Sequence, residues 1–210
     1  FIYDGWNLIA EISNNETNYY TYGLDLSDSL QGAGGIGGLV SMWNSETGFL
    51  KYQYDGNGNV VGLLDTNGTS VATYEYDPFG KLLRVTGENA NDNPFRFSTK
   101  YFDEESNLAY FGYRFLNPQT GRFLNRDPLG DLAFFKTMSK GKSPLEQAAL
   151  AEMTQKALYL FVHNNPIDKM DYLGLAPQGG CCGPEVSGAI QNTLAEIERT
   201  YRGWSRRRGR

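Results

Sequence analysis

Histidine is almost missing from this chain: His163 is the single one in 210 residues. That scarcity argues against a catalytic centre built on imidazole and against histidine-rich metal sites. His163 precedes Asn164-Asn165-Pro166 and reads as a turn residue, because no Ser or Cys is tied to it by a recognised spacing. Cysteine is nearly as scarce. Cys181 and Cys182 are neighbours, and a bridge between them would close a strained small ring. With no histidine nearby they make no zinc site, so they read as free thiols, and neither a metal nor a cofactor is expected. Charged residues reach only 20%, which is not the composition of a disordered segment. No apolar run approaches the ~20 residues of a membrane-spanning helix. The chain starts at Phe1 without Met or a basic-then-apolar leader. It therefore reads as an excised or partial chain, from which a targeting signal cannot be read.

What is abundant points to β structure. There are 25 Gly and 14 Tyr, a mixture suited to pleated strands joined by many tight turns. The length allows one domain with a sizeable core. The net charge of −5 hides an asymmetry: residues 176–210 hold six Arg against three Glu, so the rest of the chain carries the acid. A reversal of sign after Leu175 marks a boundary there. The Arg206-Arg207-Arg208 run reads as a solvated tail, and no nucleic-acid partner is expected from it.

A repeat is visible in the first half. Tyr54-Asp55-Gly56-Asn57-Gly58 is echoed by Tyr76-Asp77-Pro78-Phe79-Gly80, and Tyr3-Asp4-Gly5 is a partial copy. Each unit is strand, Tyr-Asp, Gly turn, strand. One hairpin cannot bury both faces, so such units must stack side by side into an extended sheet. The Tyr ring packs on a neighbouring strand, and the Asp holds the turn through backbone amides. Strands are predicted over 1–12, with a turn at Asp4-Gly5, and over Tyr19 to Leu26. A hairpin over 40–64 is expected to turn at Glu46-Thr47-Gly48. Gly32-x-Gly34-x-x-Gly37 has the look of a phosphate loop, but no Lys-Ser/Thr and no helix pattern come after it. A bend or a close backbone approach is the better reading.

Further strands are predicted over Phe95–Tyr101 and Leu108–Phe115, with a tight turn next at Asn117-Pro118-Gln119-Thr120-Gly121. Ser143-Pro144-Leu145-Glu146 is a capping box, and apolar spacing after it predicts a helix over about 143–161, its last turn open to a return to extended structure. Val186, Ile190, Leu194, Ile197, Tyr201 and Trp204 form an apolar stripe, which predicts an amphipathic helix over about 184–203.

Two related motifs carry paired carboxylates: Asp127-Pro128-Leu129-Gly130 and Asp171-Tyr172-Leu173-Gly174. Two Asp side chains held close cannot both ionise cheaply. One stays protonated and polarises a carbonyl while the other activates water, which is aspartic-protease chemistry; turn-holding Asp residues are the bland alternative. Tyr101-Phe102-Asp103-Glu104-Glu105-Ser106-Asn107-Leu108, Tyr113-Arg114-Phe115, Asn117 through Gly130, and Asn164 through Leu175 resemble, in that order, the Rhs repeat-associated core domain. That domain is the end piece of YD-repeat (Rhs, teneurin-like) shell proteins.

The resemblance implies a mainly β fold, a strip of antiparallel hairpins spiralling into a hollow shell. It divides the chain into YD-type repeats over 1–94, the core domain over 95–175 with a helical insertion at about 143–161, and a tail over 176–210. It implies self-cleavage, with Asp127 and Asp171 as the catalytic pair and Arg126 orienting a carboxylate. The cut falls between Leu175 and Ala176 and releases a toxin-type C-terminal segment, in a secreted or cell-surface bacterial protein. Its expected partners are its own C-terminal segment and other subunits or upstream repeats of the shell. Two departures from the pattern stand out. Tyr172 replaces the Pro of the second motif and removes its fixed φ, and the interval between the motifs is longer than usual. They favour the alternative, a non-catalytic structural or cell-surface module that binds a protein or a glycan through exposed aromatics such as Trp6 and Trp43.

Overall fold

The structure, a computed structural model, describes residues 1–13, 16–127, 141, 143–145, 148, 158–167, 169–174 and 178–179. The chain divides into two compact units, Phe1–Gln178 and Gly179–Arg210, and the first holds nearly all of the described residues. The predicted helix over 184–203, Cys181, Cys182, Leu175 and Ala176 all lie outside the described residues.

The first half is an eight-stranded antiparallel meander in which each strand pairs with its sequence neighbours. Its strands are β1 (Ile2–Asp4), β2 (Asn7–Ile12), β3 (Thr17–Tyr22), β4 (Leu39–Asn44), β5 (Gly48–Tyr54), β6 (Val60–Leu64), β7 (Ser70–Tyr76) and β8 (Leu82–Thr86). Alternation along the strands sends one set of side chains to a common core: Leu8, Tyr20, Met42, Leu50, Leu63 and Tyr74 are among its buried members. The opposite face keeps Tyr19, Val40, Trp43 and Phe49 exposed, the pattern of an antiparallel sheet covered on one side. The strand expected to reach Leu26 ends at Tyr22, because the carboxylate of Asp25 takes over the backbone there. It accepts from the amides of Ser27, Ala33 and Gly35 at 2.9, 2.7 and 3.2 Å. The glycine run is therefore a folded loop with its amides already engaged, which removes the phosphate-loop reading.

The repeat turns are built alike. Asp55, Asp65 and Asp77 each donate their amide to the carbonyl four residues on, Asn59, Thr69 and Lys81, at 3.1, 2.9 and 2.9 Å. Each Asp Oδ1 accepts the amides two and four residues on, at 2.8 to 3.0 Å. Gly58, Gly68 and Gly80 close the turns at φ of 72°, 84° and 87°, a region open to glycine at no steric cost. Asp65-Thr66-Asn67-Gly68 is thus a further copy of the same turn, invisible to a search keyed on Tyr-Asp. The Tyr of each pair reaches back one strand: the Tyr54 hydroxyl donates to the Leu39 carbonyl at 2.5 Å and that of Tyr76 to the Val60 carbonyl at 2.9 Å.

The second half lays a smaller sheet and a set of loops against the first. Its strands are β9 (Tyr101–Asp103), β10 (Leu108–Tyr110), β11 (Phe115–Asn117) and β12 (Arg122–Phe123), paired as an antiparallel meander. Two predicted strands are corrected here. Phe95–Tyr101 is an isolated bridge around a 3-10 turn, with Ser98 and Thr99 at positive φ. Its polar residues are needed inward: Ser98 donates its amide to Asn59 Oδ1 at 2.8 Å, and Thr99 its hydroxyl to the Gly58 carbonyl at 2.7 Å. Leu108–Phe115 is two strands, broken by a turn at Phe111–Arg114 that Gly112 permits at φ 94°. The helix expected over 143–161 has helical backbone at Pro144, Leu145 and Ala148. Its last turn is the return to extended structure that the spacing left open: Leu158 and Tyr159 form a turn and Leu160 bridges to Arg122. Strand β13 (Lys169–Met170) leads into the second motif. The two halves are tied by Glu11, whose carboxylate accepts the hydroxyls of Tyr20 and Tyr101 at 3.0 and 2.8 Å.

Candidate functional site

The turn between β10 and β11 delivers Arg114 into the interior, where its side chain is 1% exposed. Four phenylalanines make its surroundings. Phe123 lies under the guanidinium at 3.7 Å, Phe111 and Phe161 continue the cluster edge to face, and Phe97 packs tilted on Phe161. A cation in such a place needs its donors filled, and they are. Nε donates to the Gly174 carbonyl at 2.5 Å and Nη1 to the Leu158 carbonyl at 3.4 Å. Nη2 meets Asp171 Oδ2 at 3.1 Å and Asp127 Oδ2 at 2.9 Å.

One guanidinium nitrogen thus brings together the two carboxylates that the motifs singled out, across 44 residues of chain. Asp171 is fully buried, and Asp127 retains 15% of its side-chain exposure. Backbone pairing sets Asp127: its amide donates to the Leu158 carbonyl at 2.9 Å, and that of Phe123 to the Tyr159 carbonyl at 3.0 Å. The segment after the long interval therefore returns beside the first motif. Burial pulls the Arg114 guanidinium down from its ordinary value, while Asp171 and Asp127 hold it charged. Arg126, expected to orient a carboxylate, is exposed. Arg114 occupies that place, and it was missed because Leu108–Phe115 reads as one strand. The glycine at 112, inside an apparent strand, was the available sign of a break.

A second buried cation binds the residue next to Asp171. Lys100 is buried, and its ammonium donates to the carbonyls of Gly34 and Tyr172 at 3.0 and 2.7 Å. Burial lowers it to about 8, against the attraction of Asp171 and Asp25. Beside it lies a cavity of about 320 Å³, with Trp6, Tyr22, Tyr110 and Phe111 among its walls. His163 falls in a 3-10 turn over Val162–Asn164, as its sequence context implies. Among the described residues no group of acidic, Cys and His side chains could hold a metal ion, and no helix is long and apolar enough to cross a membrane.

This architecture and its repeated turns have relatives. The RHS Repeat family model matches residues 54–91, the span that holds the three Asp-Gly turns. The chain is 32% identical over 133 residues to the tRNA nuclease WapA of Bacillus subtilis (strain 168), covering 61% of this chain and 5% of that protein. It is 30% identical over 132 residues to the toxin subunit YenC1 of Yersinia entomophaga, covering 61% of this chain and 11% of that one. The crystal structure of TcdB2-TccC3-Cdc42 superposes with a TM-score of 0.53 at 23% identity, over 76% of this chain and 7% of that one. The fold is thus the β architecture seen in a Tc toxin assembly. Residues 54–91 thus carry the RHS Repeat, and the chain spans a small part of the relatives it matches.

Proposed function

We propose that this chain is the closing end of an Rhs-type toxin shell and that it cuts itself after Leu175, freeing a C-terminal segment. One observation carries the reading: Arg114 gathers Asp127, Asp171 and the Gly174 carbonyl around a single guanidinium. That carbonyl belongs to the residue just before Leu175, so the group that joins the two acids also grips the chain beside the proposed cut. In the reaction, the ionised carboxylate takes a proton from water, and the water oxygen bonds to the Leu175 carbonyl carbon. The protonated carboxyl gives its proton to the carbonyl oxygen. Collapse then breaks the bond to the Ala176 nitrogen, which leaves with a proton. The pair acts as one titrating unit. The names of the relatives, a nuclease and a toxin subunit, agree with a toxin-type segment downstream, in a secreted or cell-surface protein whose other partners are further repeats of its own shell.

Denaturing intact-mass spectrometry of the chain beside Asp127→Asn tests this. The expected result is a break after Leu175 in the parent and a whole chain in the variant. Two whole chains would leave the site as a structural cap.

A second reading rests on the outer face of the large sheet. Tyr19, Trp43 and Phe49 are exposed there in direct cross-strand register, with ring centroids 5.8 and 6.4 Å apart. Such a row of aromatic faces suits a surface module that binds a protein or a glycan. Binding to a glycan array that Trp43→Ala abolishes, with no self-cleavage, would favour it. Trp6, the other aromatic singled out for this role, packs on Tyr113 at 5.0 Å instead.

A further inference from the structure

The second motif lacks the proline that fixes φ in the first, yet its loop is held at three consecutive carbonyls. The Tyr172 carbonyl accepts from Lys100 Nζ at 2.7 Å, that of Leu173 from the Tyr113 amide at 3.1 Å, and that of Gly174 from Arg114 Nε at 2.5 Å. The Tyr113 grip is made by backbone, and the Arg114 grip belongs to the group that binds both acids. The remaining grip, at Tyr172, comes from the Lys100 side chain and lies one residue from Asp171. The same ammonium binds the Gly34 carbonyl at 3.0 Å, which ties the loop to the glycine run. The glycine run is shaped for this approach. A Cβ on Gly34 would stand 2.5 Å from the Tyr172 oxygen, at a φ of 61°.

We propose that Lys100 is a positioning residue for the second motif: by holding the Tyr172 carbonyl against Gly34, it sets the Asp171 carboxylate on Arg114. The charges facing the ammonium are Asp171 and Asp25, and the ring of Phe111 lies 5.6 Å away. Lys100 supplies as a cross-chain contact the constraint that proline supplies within the backbone. A buried cation is a poor choice for stability alone, since an apolar side chain of similar length is often neutral or better. Its depressed proton affinity, about 8, agrees with that cost.

The test is hydrogen exchange, thermal melting and self-cleavage in the parent, Lys100→Met and Gly34→Ala, with Asp127→Asn as the cleavage control. Only the cleavage arm rests on the self-processing reading. Lys100→Met is expected to melt at the parent's temperature. Its Tyr113 amide, bonded to the loop, should exchange on the order of tenfold faster, as loss of one charge-assisted hydrogen bond implies. Cleavage should slow by a similar factor, while the sheet amide of Tyr52 is unmoved. Gly34→Ala forces the same two carbonyls apart with Lys100 still present and should loosen Tyr113 likewise. Unchanged exchange at Tyr113 in both variants overturns the proposal. So does a Lys100→Met chain that melts early or fails to fold, because the lysine is then a structural residue. A parent that never cleaves defeats the self-processing reading, and the exchange at Tyr113 still decides the role of Lys100.

Discussion

The two halves of the described unit solve the problem of buried polarity in opposite ways. In the repeat sheet, the carboxylates of the Asp-Gly turns sit at the rim. Asp55, Asp65 and Asp77 fold back onto their own turns, and every partner lies within four residues. Among the polar groups inside are phenols, each with an acceptor: Tyr52 on Asn93, Tyr74 on Ala90, Tyr76 on Val60. In the second half the charges themselves go inside, and their partners lie far along the chain. Arg114 meets residues 44 and 60 positions away, and Lys100 meets residues 66 and 72 away. Local turns make a shape that can be repeated. Long-range charged contacts make a place that occurs once, as a site must.

The contrast is tested most severely at Arg114. Replacing it by Met strands Asp127 and Asp171 without their shared cation, and the expected loss is about 3–5 kcal/mol, read from urea unfolding. Adding Asp127→Asn and Asp171→Asn to that variant removes the stranded charges and should recover much of the loss. Recovery of none would show that Arg114 acts by packing on Phe123 rather than by charge.

The next largest effect is on pH, where the two halves should differ in sign. Burial, first among the causes, holds the phenols of Tyr52, Tyr54 and Tyr76 above their ordinary value. The unfolded chain releases these protons near pH ~10 while the folded sheet keeps them, so their contribution is intact below that pH and falls as pH rises beyond it. Lys100 runs the other way. Between about 8 and its ordinary 10.5 the unfolded state binds the extra proton, so this group adds stability as pH rises through that window. Denaturant midpoints taken from pH 7 upward should hold or rise slightly before an alkaline collapse. In Lys100→Met the early rise should vanish and the collapse remain.

The smallest effect falls on the repeat turns. Asp77→Ala removes the acceptor for the amides of Phe79 and Lys81 but leaves them near water, so about 1 kcal/mol is expected by thermal melting. A loss as large as that of Arg114 would mean that the turns are as site-specific as the interior charges.

The same division separates the features that residues alone reveal from those they hide. The Tyr-Asp spacing predicts stacked hairpins with Asp-held turns, and the structure shows them, because the partners of those Asp residues are neighbours in sequence. The turn at Asp65 escaped only because Leu64 stands where the pattern asks for Tyr. The strands predicted through Phe95–Tyr101 and Leu108–Phe115 went wrong where tertiary demands exceeded alternation: Ser98 and Thr99 turn inward to Asn59 and Gly58, and Gly112 breaks a strand so that Arg114 can point in. Asp127 and Asp171 were singled out by their motifs. That Arg114, and not the adjacent Arg126, stands between them has no local signature.

The repeat, its turn chemistry, the family and the two acidic motifs are all legible in the amino-acid sequence, since each is written in residues a few positions apart. Tertiary structure alone reveals that Arg114 joins Asp127 and Asp171, and that Lys100 ties the second motif to the glycine run. The reason is physical. A buried charge is tolerated only where all its partners arrive together, and here they arrive from residues 34, 127, 158, 171, 172 and 174, which no spacing along the chain connects.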